Sequence, residues 1–302
     1  MITAKHELTT LLTGGAFFES PRWHEGSWYV SDVLGNDVRR VGTDGREEVV
    51  LTLGGQPSGL GWLPDGALLV VSMHEHAIYR QSTDGDLSRY ADVSEYSHGL
   101  LNDMVVDAAG GVYVGSTGVD MAEGGAWRAV SLIRVDPDGS VRPVADDMYG
   151  PNGMAITPDR RTLIVGESFA QRYTAFTIES DGTLTERRIW GQLAPAVAPG
   201  PVSELAAQLE IAPDGCALDA DDNIWMADMT GGPVRRLAPN GATTDEVPPP
   251  GDLIIFACML GGEDGRTLLM CAAPQSVRSH GAVGRYSCLV TTRVDTPRSG
   301  LP

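Results

Sequence analysis

Short apolar runs, each closed by an Asp-Gly or similar turn, recur along the whole chain, and a unit built from them returns six times. Its leading half reads as a small turn, an apolar strand, an Asp/Gly turn and a second apolar strand. It stands as ESPRWHEGSWYVSD from Glu19, PSGLGWLPDGALLVVS from Pro57, LNDMVVDAAGGVYVGS from Leu101, PNGMAITPDRRTLIVGES from Pro151 and PDGCALDADDNIWMAD from Pro213. A degenerate sixth copy, FACMLGGEDGRTLLMCAA, begins at Phe256. Each copy is followed by a weaker hairpin, as in VRRVGTDGREEVV from Val38 or LIRVDPDGSVRPVAD from Leu132; the last, from Val283, has lost its Asp-Gly. Asp-Gly and Asn-Gly between alternating apolar residues signal hairpins because both residues tolerate positive φ.

Two hairpins make a four-stranded antiparallel sheet, and one such sheet per repeat is a propeller blade. Six units of roughly 50 residues use up the 302 residues without remainder. The pattern therefore predicts an all-β chain, 1–302, folded as one six-bladed β-propeller domain. The segment HELTTLLTG from His6 is expected to close the ring by adding a strand to the last blade, removing an open sheet edge.

Composition changes this picture little. The 37 glycines and 19 prolines are scattered, as many short strands and tight turns require. A net charge of −18 argues against nucleic-acid and anionic-membrane partners. No secretory leader or membrane-spanning apolar run is evident. Four cysteines without CxxC spacing fit reduced thiols in a cytoplasmic protein.

Aligning the copies brings out the chemistry. Ser58, Asn102, Asn152 and Asp214 take equivalent places at the leading ends of the channel-lining strands of blades two to five. Blade one offers Glu19, offset by a residue, and blade six offers Ala257. Any one Asn or Asp is an ordinary turn residue. Gathered on one axis, carboxylates and amides call for a cation or ordered water. Oxygen donors, two of them anionic, suit a hard cation such as Ca2+ or Mg2+.

At these residues the chain resembles the regucalcin/gluconolactonase/luciferin-regenerating enzyme family over nearly its whole length. Glu19-Ser20-Pro21, Pro151-Asn152-Gly153 and Pro213-Asp214-Gly215 are similar to the family's three metal-ligand segments, and Asn102-Asp103 to its Asn-Asp. The resemblance implies one divalent cation held by Glu19, Asn152 and Asp214. Ca2+ is expected, with Zn2+, Mg2+ or Mn2+ as alternatives. It also implies hydrolysis of a lactone, a small-molecule substrate. Asp214 would act as ligand and general base, and Asn102 would orient substrate, with Ser58, Asp103 and Leu100 beside it. Leu100 stands where sugar-lactonase members carry an Arg, which points to a substrate less polar than an aldonolactone. Alternatives are a phosphotriesterase-like enzyme on the same scaffold and a non-catalytic calcium-binding or interaction propeller.

Two long loops are candidate lids. One spans 118–130 with Glu123 and Trp127; the other spans 191–212, where SELAAQLE is expected to form a short helix. His98 lies on a loop before Asn102, Glu167 is expected to be a buried polar anchor, and Cys216 and Cys258 to be apolar filler near the channel.

Overall fold

The computed structural model describes residues 6–120, 124–280 and 284–301; Glu123 and Val283 lie outside them. Among the described residues, 24 strands fall into six four-stranded antiparallel sheets. The inner strands are Phe18–His24, Pro57–Trp62, Leu101–Val106, Pro151–Ile156, Pro213–Leu218 and Ile254–Gly261. Each touches the next, and the last touches the first, so they ring a central channel. The strand Thr9–Gly15 pairs with Ser287–Arg293 as the outermost strand of blade six, which closes the ring as expected.

Apolar side chains between neighbouring sheets form the core. Leu60, Leu68 and Val70 of blade two pack on Val38 and Leu51 of blade one; Leu69 and Val71 pack on Met104 and Val114 of blade three. This alternation along one strand is the period-2 pattern of a sheet buried on both faces.

Every inner strand carries a bulge just after its start. The extra residue is glycine in blades two, four and five: Gly59, Gly153 and Gly215. The inner strands approach closely there. A Cβ on Gly153 would lie 2.5 Å from the Asp214 carbonyl oxygen and 2.7 Å from the Cys216 nitrogen, both backbone atoms that cannot turn away. Gly153→Ala is therefore expected to destabilise the protein by about 1–3 kcal/mol, seen as a lower urea midpoint. Gly54→Ala, whose Cβ would meet only Glu75 at 4.0 Å, should stay within about 0.5 kcal/mol of the parent.

Candidate metal centre and its surroundings

The bulge fixes which residues share a level. In blades one to five the first residue of the inner strand pairs with the end of the second strand: Phe18 with Asp32, Pro57 with Ser72, Leu101 with Ser116, Pro151 with Glu167 and Pro213 with Asp228. The next residue forms the rim, so Glu19, Ser58, Asn102, Asn152 and Asp214 share one level. In blade six, Ile255 pairs with Ala272 and Cys258 with Met270. That register puts Phe256 on the rim, and Ala257 one level down beside Gly215, whose Cβ would lie 2.6 Å from Ala257 Cβ. The expectation of Ala257 at the rim is corrected to Phe256.

Asn152 Nδ2 donates to Asp214 Oδ1 at 2.6 Å, and both side chains are buried. This contact leaves the Asn152 amide oxygen as a donor for a cation. Glu19 Oε2 accepts the Ser20 amide at 3.0 Å. Burial pushes the Cys258 thiol well up, the Cys216 thiol adds to it, and both Asp214 and Glu19 contribute, so the two carboxylates act on one buried region. Among the described residues no three His, Cys, Asp or Glu side chains gather into a metal-binding group. A cation here would therefore need amide or backbone oxygen beside the two carboxylates, and Asn152 is the residue that could supply it. The oxygen-only donor set fits a hard divalent ion.

Ser58 is buried, with its Oγ 3.4 Å from Ser20 Oγ and its carbonyl accepting Ser31 Oγ at 2.6 Å. Asn102 is half-buried, with Nδ2 3.5 Å from the Pro151 carbonyl. Leu100 is half-buried at the approach to the rim, its amide donating to Thr117 Oγ1 at 3.0 Å. Asp103, expected beside the substrate, instead turns its carboxylate to Arg22, with Oδ1 2.5 Å from Nη2. The cause is its place in the bulge, one level below the rim. His98 is half-buried on its loop, its amide donating to Ser116 Oγ at 3.3 Å. Cys216 and Cys258 are free and buried, and burial pushes the Cys216 thiol up to about 12, as befits inert filler.

Three buried acids at the ends of second strands hold the chain as it enters the rim. Asp32 accepts the amides of Ala16 and Phe17 at 3.0 and 2.8 Å, Glu167 that of Tyr149 at 2.9 Å, and Asp228 that of Ala212 at 3.0 Å. Each also pairs with an arginine of the third strand: Arg39 at 3.0 Å, Arg172 at 2.8 Å and Arg235 at 2.7 Å. These are blades one, four and five, which supply Glu19, Asn152 and Asp214. Blades two and three have Ser72 and Ser116 in that place. Glu167 is thus the anchor expected of it. Asp32 and Asp228 were not singled out in the sequence, although both end the same strand, in YVSD and WMAD.

An apolar cap stands on the rim face. The two long loops meet in an antiparallel bridge between Ala126 and Pro201, flanked by Trp127 N to Gly200 O at 2.9 Å and Val202 N to Gly125 O at 2.8 Å. The expected helix forms over Val202–Gln208 and buries Leu205. Leu205 belongs to one apolar cluster with Trp127, Phe169 and Phe256, against which Phe17 and Tyr149 pack. Phe17 and Phe256 meet edge to face at 5.0 Å.

Residues 17–274 match the family described as the SMP-30/Gluconolactonase/LRE-like region. A 6-deoxy-6-sulfogluconolactonase from Pseudomonas putida is 28% identical over 293 residues, covering 94% of this chain and 93% of that protein. Among solved structures, a luciferin-regenerating enzyme superposes with a TM-score of 0.77 at 16% identity, covering 98% of both chains. Regucalcin from Agrobacterium tumefaciens strain C58, described as a calcium-binding protein, superposes with a TM-score of 0.74 at 20% identity, covering 98% of this chain and 95% of that one. At these identities the two structures speak for the fold.

Proposed function

The chain belongs to the SMP-30/gluconolactonase/LRE-like family, and from that premise we propose that it is a divalent-metal-dependent hydrolase of a lactone or related cyclic ester. Glu19, Asn152 and Asp214 hold the ion, and Ca2+ is the ion we assign. The observation that carries the reading is the shared rim level of two carboxylates and two amides above a buried channel. The lactonase named among the relatives supports the reaction class, and the calcium-binding description of regucalcin supports the ion. The four free cysteines support a cytoplasmic location, and no helix among the described residues is long and apolar enough to cross a membrane.

A divalent ion at the rim would supply Lewis-acid polarisation of the ester carbonyl and charge for the developing oxyanion. The chain's own groups do the rest. Asp214, oriented by the Asn152 amide on its Oδ1, is the carboxylate that takes the proton of the attacking water. Asn102 orients the substrate through its amide, and Ser58 lies beside it on the rim. Leu100 and Phe17, both half-buried, offer apolar surface where a polyhydroxylated ring would need hydrogen-bond partners. The substrate we assign is therefore less polar than an aldonolactone.

A panel of alkyl-substituted γ- and δ-lactones, aldonolactones, aryl esters and phosphotriesters tests this, assayed before and after chelation. Alkyl lactones should be turned over fastest, with activity falling at least ~100-fold on chelation and returning with Ca2+. Activity that survives complete metal removal would sink the metal-dependent reading. Faster turnover of phosphotriesters would move the reaction class.

A further inference from the structure

We propose that Arg22 and Asp103 form a positioning pair that holds Asn102 in register with Glu19 and so sets turnover without touching substrate. The inference rests on the reading of the rim as a hydrolytic site. Three residues along from the rim, the other five blades carry Gly61, Val105, Ala155, Ala217 and Met259. Blade one alone carries a charge there, Arg22, and its side chain is buried at 3% exposure.

Arg22 runs beneath the rim and ties three blades together. Nε donates to the Leu60 carbonyl of blade two at 3.1 Å. Nη2 donates to the Met104 carbonyl of blade three at 2.9 Å and to Asp103 Oδ1 at 2.5 Å. Nη1 returns to the carbonyl of its own neighbour Pro21 at 3.0 Å. Asp103, 4% exposed, occupies the bulge place that is glycine in blades two, four and five, and its Oδ1 also accepts the Met104 amide at 2.8 Å.

Asn102 is the residue before Asp103. Its side-chain contact to the neighbouring blade, 3.5 Å to the Pro151 carbonyl, is too long to fix its amide. The restraint on the Asn102 backbone comes from the carboxylate one residue on, clamped to a guanidinium that is itself anchored three residues from Glu19. The pair thus sets the distance across the rim between a proposed metal ligand and the group proposed to orient substrate.

Removing either partner alone leaves a buried charge, so the test uses the double variant Arg22→Met/Asp103→Leu, which replaces the pair with apolar residues. It is compared with Asn102→Ala, with the triple variant and with Arg22→Lys. The readouts are kcat and KM on the lactone best used by wild type, calcium content by elemental analysis, and circular dichroism. In the double variant kcat should fall about 10- to 100-fold, while KM and calcium content stay within about twofold. Adding Asn102→Ala to it should cost little more, because both changes remove one function. Arg22→Lys keeps the charge without the planar fork and should fall between. If the double variant does not fold, Arg22→Lys carries the test alone, and wild-type kcat in that variant overturns the proposal. Wild-type kcat in a folded double variant overturns it too, as does a loss that multiplies in full with that of Asn102→Ala. A metal-loaded wild type inactive on every lactone would bring down the hydrolase reading and this inference with it. That result is distinct from an active wild type indifferent to the pair.

Discussion

Asp214→Asn protein is expected to fold normally, to lose its calcium and to fall by about three orders of magnitude in kcat/KM. The substitution preserves shape in a place where shape matters, since Asp214 is 7% exposed and Asn152 Nδ2 lies 2.6 Å from its Oδ1. What it removes is charge. Affinity for a hard cation depends on the number of anionic ligands, and the proposed set falls from two carboxylates to one. The same change removes the carboxylate proposed to accept the water proton. Calcium content and steady-state rates at high calcium separate the two losses. A folded variant with wild-type calcium content would show that Asp214 is not a ligand.

The second large effect is expected one step back from the rim. Asp228→Ala should lower stability by about 3–5 kcal/mol. It should also weaken calcium binding about 10- to 100-fold, as loss of an outer support around a metal site does. Asp228 is 1% exposed and accepts the amides of Ala212 and Thr230, each at 3.0 Å, as well as Thr230 Oγ1 at 2.7 Å. It also holds Arg235 at 2.7 Å. Its removal leaves the fully buried Ala212 amide without this acceptor and frees the two residues that lead into Asp214. A urea midpoint and a calcium titration measure both consequences. Lower stability with unchanged calcium affinity would mean that the anchor serves the fold alone.

Much of the architecture was readable because its signals are local. Asp-Gly turns at regular spacing mark the hairpins, and the Pro-x-Gly of three inner strands marks the bulge where neighbouring backbones come too close for a Cβ. Ser58, Asn152 and Asp214 follow from lining up those marks, and Glu19 and Asn102 from a polar residue at the same place in blades one and three. The sixth is misplaced because blade six offers neither Pro-x-Gly nor a polar residue there. Its strand begins two residues before Phe256, and similarity alone slid the alignment by one, which exchanges Phe256 for Ala257. Arg22 leaves a trace of its own as the one charge in a column that otherwise holds Gly, Val, Ala, Ala and Met. The partnership between Ala126 and Pro201 had no such trace, because it joins two irregular loops through backbone atoms that carry no residue preference.

Anomalous diffraction from crystals soaked in Mn2+ tests the proposed site most directly, since Mn2+ is a hard divalent ion with a usable signal. One strong peak is expected at the rim of the channel, in direct contact with Glu19, Asn152 and Asp214, and absent from Asp214→Asn crystals. A rim without a peak, or a peak of equal strength in the variant, would mean that these three residues do not form the metal centre.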